Sequence, residues 1–283
     1  MTRLSEIQAH IDSLSELRNI VGAMRALAGM RVQEAQQALP GIRQYAETIA
    51  AAVADTLPLM AEPAAPLRRT RRRLALVLYA AEHGFVGGFN ERLVTRAMAE
   101  HGPNDQLFVL GSRGAALVLE HGRKARWSHP MATRCAAAPE TVQRLTRELY
   151  GSIARGELDG ADVMFTRYHA GAAGEVERRT VLPLDLDALR AYQSRLPPLH
   201  NLPPAVLHGR LVAEYVFALL MEAAAESIAS ENAARFAAMV LAHDNVAKKL
   251  DGLRRDAQQA RQAEVTNELL ELVTGAEALA HER

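Results

Sequence analysis

The sequence predicts an α+β protein. Two long helices, one at each end of the chain, pair as an antiparallel coiled coil, and a small α/β (Rossmann-like) domain is inserted between them. Three observations carry this expectation. Residues 3–39 contain no proline and only two glycines, and apolar or small residues recur in steps of three and four. From Ala205 onward there is again no proline, with glycine only at Gly209, Gly252 and Gly275. Between about 70 and 190, short apolar runs of strand length alternate with helical stretches. A 75-residue helix would be on the order of 110 Å long, which no compact domain of this size encloses. Two such helices flanking a globular insert most simply pair with each other.

The first helix is expected over residues 1–60. Its stripe runs through Leu4, Ile7, Ile11, Leu14, Val21, Ala28, Val32, Ala35 and Leu39, and also carries Arg18 and Arg25, so it is not a clean coiled-coil seam. Pro40-Gly41 predicts a kink or break, after which "IRQYAETIAAAVADTL" resumes the pattern to about residue 57. A proline-punctuated connector follows, ending in the basic run "RRTRRR" at 68–73, read as a solvated linker or domain edge.

The α/β domain is expected over 70–195. "LALVLYA" and "DQLFVLG" are its first two strands, followed by the helical "ERLVTRAMAEH" and "SRGAALVLEHG". The helical "APETVQRLTRELYGSIARGEL" leads to two further strands, "DVMFTRYHA" and "ERRTVLPLDL", flanking "GAAG" as a hairpin. After "LPPLHNLPP" the last helix occupies 204–283, with Phe236, Val240, His243, Val246, Leu250, Leu253, Ala257 and Ala260 continuing the three-four spacing.

Lys+Arg and Asp+Glu are equal at 33 each, which argues against a general nucleic-acid binder. One cysteine, Cys135, permits no disulfide within the chain and is read as a bland small side chain. The amphipathic N-terminus is no secretory signal, and the longest apolar run, "VFALLMEAAA", falls short of the ~20 residues of a membrane span. The chain is therefore expected to be soluble.

Constellations for chemistry are sparse. "GFVGGFN" after the first strand invites a phosphate-binding reading, but its G-x-x-G-G spacing matches neither dinucleotide nor P-loop patterns, and glycines easing a tight turn are the preferred account. The ten histidines show no metal-ligand spacing, so no metal site and no cofactor is expected. Glu226 with Glu231, and Glu268 with Glu271, are read as solvated charges on a long exposed helix. No catalytic residue is assigned.

The segment "ARQAEVTNELLELVTGAEAL" resembles the C-terminal signature of the gamma subunit of F-type ATP synthases. "LRNIVGAMRALAGMRVQEAQ" resembles that family's N-terminal helix, and "EHGFVGGFN" its glycine-rich turn. "VLGSRG", "RRTVLPL" and "SENAARFAAMVLAHDN" follow in the family's order. The resemblance implies the central rotor shaft of an ATP synthase or ATPase. Such a shaft transmits torque between a membrane ring driven by protons or sodium ions and a catalytic hexamer of alpha and beta subunits. It also implies the epsilon subunit as a partner and a peripheral place on the cytoplasmic face of a bacterial inner membrane. By resemblance, Met24, Arg235, Gln262, Thr266 and Glu271 would face the beta-subunit catch loops. For Met24, packing between the two helices is the alternative, and for Arg235 a solvated charge. Gly84, Gly87, Gly88 and Asn90 would lie on the rotor-ring and epsilon side. Small residues such as Ala276, Ala278 and Ala280 would give a slender tip able to turn in an apolar sleeve.

The chain departs from the family at Gly22 and Arg31, where lysines are usual, and at Val86, where the turn usually carries cysteine. The stretch "LHNLPPAVL" at 199–207 lacks the usual acidic character. Such divergence is compatible with a second, alternative ATPase. Two other readings stay open on the residues alone: a small α/β nucleotide- or phosphate-binding enzyme with oligomerisation helices, and a coiled-coil scaffold.

Overall fold

The computed structural model describes residues 3–60, 73–171, 174–194 and 198–281. Most of the basic run at 68–73 and the middle of the "GAAG" turn lie outside the described residues. The chain divides into two units, residues 28–235 and the two ends, 1–27 with 236–283.

The larger unit is built on five strands. β1 (Leu74–Tyr79), β2 (Gln106–Leu110), β3 (Trp127–His129), β4 (Gly160–Arg167) and β5 (Glu175–Leu182) form one sheet in the order β3-β2-β1-β4-β5. β1 pairs in parallel with β2 and β4, β2 in parallel with β3, and β4 antiparallel with β5, so the expected hairpin is present. Helices α2 (Phe89–Glu100), α3 (Ser112–Glu120) and α4 (Ala138–Ala154) connect the parallel strands, and the short α5 (Leu186–Arg190) follows β5. β3 and α5 are absent from the sequence reading. β3 has three residues and no apolar run, because it is an edge strand held by backbone pairing to Phe108–Leu110.

Strand alternation sorts the core into two layers. Ala75, Val77, Tyr79, Phe108, Val163 and Phe165 face α4 and the long helices, while Leu76, Leu78, Val109 and Met164 face α2 and α3. Burial on both faces explains why the central strands β1 and β2 read as continuous apolar runs. The "VLGSRG" segment is constrained by this packing. Gly111 has φ +105°, and a Cβ there would lie 2.4 Å from the Ala80 carbonyl oxygen. A Cβ on Gly114 would lie 2.1 Å from that of Ala80, so both positions require glycine for α3 to leave the sheet edge. α4 stops at Gly156, whose φ of +68° turns the chain back while its N–H and that of Glu157 bond the last helical carbonyls.

The long helices are α1 (Arg3–Thr56) and α6 (Pro204–His281). The break expected at Pro40 does not occur: α1 runs through it. A mid-helix proline costs about 3 kcal/mol, and the flanking turns offset it by burying Ala35 and Leu39 on one side and Ala46, Ala50 and Val53 on the other. Within the larger unit, α1 and α6 run antiparallel. Arg43 meets Glu222 and Glu226, Tyr45 donates to Glu214, and Thr56 Oγ1 lies 2.8 Å from His208 Nδ1.

In the smaller unit, Ile11, Val21, Met239 and Leu250 are buried. Around them Leu4, Ile7, Leu14 and Arg18, and Val246, Leu253, Ala257 and Ala260, are half-buried, which is the a/d pattern of a two-helix seam. Phe236 is instead exposed, and Met239 takes the buried place at that turn. Many large apolar side chains face outward in this unit, including Ile20 (58%), Leu241 (64%) and Leu272 (70%).

Candidate functional site

In a doubly wound sheet, ligands bind beyond the carboxyl ends of the strands, where the chain's direction of winding changes. Here that crevice opens between β1 and β4, which continue to opposite sides. It is filled by α6. Ser227 Oγ donates to the Tyr79 carbonyl at the end of β1 (2.8 Å), and Ser230 Oγ donates to the Thr166 carbonyl at the end of β4 (2.8 Å). Tyr79 Oη donates in return to the Leu220 carbonyl at 3.0 Å, and burial pushes its phenol far above the ordinary value. Ala223, Ala224, Ala225 and Ala229 are fully buried beside these serines. The alanines let the helix approach closely, and the serines satisfy strand-end carbonyls that a ligand would otherwise meet. We expect Tyr79→Phe to destabilise the chain by about 1 kcal/mol, a thermal-melting shift of a few degrees, with the secondary structure by circular dichroism unchanged.

Glu226 and Glu231 are not solvated, contrary to the expectation from sequence: they are 0% and 3% exposed. The reason is the crevice, since the same face of α6 that carries the serines carries both carboxylates. Glu226 accepts from Arg43 and from the Tyr168 N–H (2.9 Å). Glu231 accepts from Arg235 Nη2 at 2.6 Å. Burial raises the Glu231 carboxyl above its usual range, outweighing the lowering effect of Arg235.

Arg235 is likewise no solvated charge, at 7% exposure. Besides Glu231 it donates to Asn232 Oδ1 (3.1 Å), the His83 carbonyl (3.3 Å) and the Gly84 carbonyl (3.4 Å). It therefore holds the glycine-rich turn against α6. In that turn Phe85 has φ +61° with its side chain two-thirds exposed, and Gly87 has φ +53°. Gly88 precedes α2, and Asn90 Oδ1 accepts from the Ala81 N–H at 2.9 Å, closing the turn on itself. Glu82, at its start, accepts from the Ser112 N–H and hydroxyl and from the Met131 N–H. Burial opposes ionisation of Glu82, but these hydrogen bonds prevail and hold its carboxyl below the usual range. The four residues expected on the ring side thus lie at the Arg235 end of the unit. Along α6 that is 27 residues, about 40 Å, from the end where Thr56 meets His208.

Of the other residues singled out by sequence, Met24 is half-buried and Gln262 and Thr266 are exposed. Thr266 Oγ1 donates to the Gln262 carbonyl one turn earlier, at 2.8 Å. The side chains of Glu271, Ala276, Ala278 and Ala280 lie outside the described residues. Among the described residues, no group of three or more His, Cys, Asp or Glu could hold a metal ion, and no helix is long and apolar enough to cross a membrane. The polar face formed by Glu226, Ser227, Ser230, Glu231 and Arg235 went unrecognised in the sequence reading. Its signal is there: polar residues at three-four spacing, set among alanines where an apolar stripe would be expected.

A family model described as ATP synthase matches residues 3–279. The ATP synthase gamma chain of Paracoccus denitrificans is 30% identical over 294 residues, covering 99% of this chain and 100% of that one. That of Azoarcus sp. is 29% identical over 287 residues, covering 97% and 98%. Among solved structures, a chain of the Euglena gracilis mitochondrial ATP synthase rotor aligns with a TM-score of 0.65 at 14% identity, covering 93% of this chain and 98% of that chain. A chain of the Tetrahymena thermophila central stalk and c-ring aligns with a TM-score of 0.58 at 17% identity, over 79% of this chain and 99% of that chain.

Proposed function

We infer the working of this chain from the premise that it belongs to the ATP synthase gamma family. It is the gamma subunit, the non-catalytic central rotor stalk of an F-type ATP synthase, and its partners are the alpha and beta subunits of the head, epsilon and the membrane c-ring. The observation that carries the mechanical reading is the filled crevice. Where an α/β enzyme would hold its ligand, this chain seats the helix that becomes its shaft. That arrangement speaks against the small-enzyme alternative, because Ser227 and Ser230 already occupy the strand-end carbonyls.

The finer assignments are proposals. The exposed Gln262 and Thr266 are placed against the beta-subunit catch loops, together with Met24 and Glu271, on the strength of the family resemblance. Arg235 belongs to this set only if it releases partners, since it is already bound to Glu231 and the turn carbonyls. For Gly84, Gly87, Gly88 and Asn90, the position at the Arg235 end favours a head- or epsilon-facing role. The ring-facing surface is then placed at the Thr56–His208 end, which the 199–207 stretch adjoins in sequence. The outward-facing apolar residues of the smaller unit support a sleeve of partner subunits around it, since a lone two-helix segment gains nothing by exposing them. Residence on the cytoplasmic face of a bacterial inner membrane is supported by the bacterial sources of the curated relatives.

Co-expression with the alpha and beta subunits of the same source, followed by native mass spectrometry, tests the reading. One copy of this chain among six larger subunits, with ATP turnover that depends on it, is the expected result. A chain that elutes alone or as its own oligomer, while alpha and beta assemble without it, would contradict it.

A further inference from the structure

A rotor must keep its globular part from slipping around the helices it drives. The packing of α6 on the sheet is poorly suited to that on its own. Ala223, Ala224, Ala225 and Ala229 present a low surface between the larger buried Val216, Leu220 and Ile228. Apolar contact is non-directional, so over the alanine stretch it opposes separation more than a small turn of the helix. Directional contacts add the resistance: Ser227, Ser230 and Tyr79 tie α6 to the ends of β1 and β4, and one ionic set extends the tie across four elements.

Arg167 Nε on β4 donates to Glu177 on β5 at 2.6 Å. Glu177 also accepts from Arg179 Nε and Nη2 on the same strand, at 3.1 and 3.0 Å. Arg179 Nη1 reaches across to Glu222 on α6 at 2.7 Å. Glu222 also pairs with Arg43 on α1 at 3.4 Å, and Arg43 continues to Glu226, one turn further along α6. Glu226 then accepts from the backbone N–H of Tyr168, next to Arg167, which closes the circuit.

Three arginines and three glutamates alternate without excess charge. The links join β4 to β5, β5 to α6, and α6 to α1, unlike the pairs Arg96–Glu100 and Arg144–Glu140, which stay within one helix. Arg179 is the centre of the circuit. Its side chain is 21% exposed, and its guanidinium lies over the Phe165 ring, 5.1 Å from the centroid, so it is held by two carboxylates and a ring face.

We propose that this circuit of Arg167, Glu177, Arg179, Glu222, Arg43 and Glu226 is the torque coupling of the shaft, locking α6 and α1 in angle to the sheet. The proposal rests on the rotor reading and assigns a mechanical task to residues outside every partner contact considered above. Weakening the circuit leaves hydrolysis by the head intact and lets rotation slip under load.

The test uses the complete assembly in inverted membrane vesicles, with Arg179→Ala, Arg179→Lys, Glu222→Gln and Arg43→Ala compared with the unaltered chain. ATP hydrolysis and ATP-driven ion pumping are read in the same vesicles. The expected result is a pumping-to-hydrolysis ratio lowered by roughly twofold or more in Arg179→Ala and Glu222→Gln, in keeping with links individually worth about RT. Hydrolysis by the detached head is unchanged, and Arg179→Lys lies between, because it keeps the charge and loses the fork. Should Arg179→Ala fail to assemble, Glu222→Gln and Arg43→Ala decide the matter, since they retain the Arg179–Phe165 contact. Wild-type ratios in those assembled variants overturn the proposal while leaving the rotor reading standing. Failure of the unaltered chain to assemble would instead remove the rotor reading itself.

Discussion

Replacing Arg235 by alanine is expected to cost the larger unit about 3–5 kcal/mol, because it strands a buried carboxylate. Glu231 is 3% exposed, and Arg235 is its hydrogen-bonded counter-charge. The variant also removes the donors that hold the carbonyls of His83 and Gly84, freeing the glycine-rich turn from α6. At about 2–4 °C per kcal/mol for a unit of this size, the melting temperature should fall by roughly 10 °C. The pH dependence has a definite sign. The Glu231 carboxyl is already raised by burial in the folded chain, so the native state binds its proton more tightly than the unfolded state does. Stability from this group is therefore full below the ordinary carboxylate value and falls as pH rises through the raised one. Without Arg235 the folded value rises further, and the deficit of the variant should shrink on acidification from neutral pH. Adding Glu231→Gln to Arg235→Ala should recover much of the loss by removing the stranded charge. A melting temperature within 2 °C of the unaltered chain, as for a surface substitution, would show that Arg235 does not compensate Glu231.

Deleting residues 256–283 is expected to leave the larger unit folded and to weaken assembly and coupling. None of the deleted residues belongs to the 28–235 unit, so its melting transition should be retained. Within the smaller unit, Ala257 and Ala260 are half-buried, whereas Gln262, Val265, Thr266, Leu269, Leu270, Leu272 and Val273 are exposed. Among the described residues this stretch contributes little buried surface, so its loss is expected to cost the isolated chain little. Under the proposed placement against the beta subunits, it is expected to cost the assembled head a contact surface. Native mass spectrometry and ATP-driven pumping read the effect. Unchanged assembly and pumping would sink the assignment of this end to a shaft.

The long helices were legible because their three-four periodicity is sustained over many residues, and four of the five strands because they stand out as short runs between helical stretches. The order of the strands in the sheet was not read from the sequence. The glycine spacing after β1 matches no phosphate-binding pattern, and at the ends of β1 and β4 it is α6 that meets the strand carbonyls, through Ser227 and Ser230. Pro40 misled because a local rule was overridden by packing on both sides of it, with Leu39 and Ala46 buried around the proline. β3 escaped notice because Trp127–His129 is too short for an apolar run and is defined by its neighbour. The polar face of α6 was the largest miss. Glutamate on a helix carries no mark of burial by itself, and alanine at three-four spacing fits either a solvated or a buried face. What holds Glu226 inside is the end of β4 and α1, through Tyr168 and Arg43, more than fifty positions away in sequence. Arg235 illustrates the same limit from the other side: its charge was evident, and its engagement with Glu231 and the turn was not.

The most direct test of the shaft assignment is to watch this chain turn. Leu199 is fully exposed, and the single native cysteine, Cys135, is buried, with its thiol pushed up to about 11 by burial and by Glu34 nearby. A Leu199→Cys variant therefore takes a bead or gold probe at one site, with the alpha–beta head fixed to a surface. On adding ATP, the account predicts continuous rotation of the probe in one sense, stopping when ATP is removed. ATP turnover by a head that retains this chain, with a probe that only fluctuates about one angle, would contradict it.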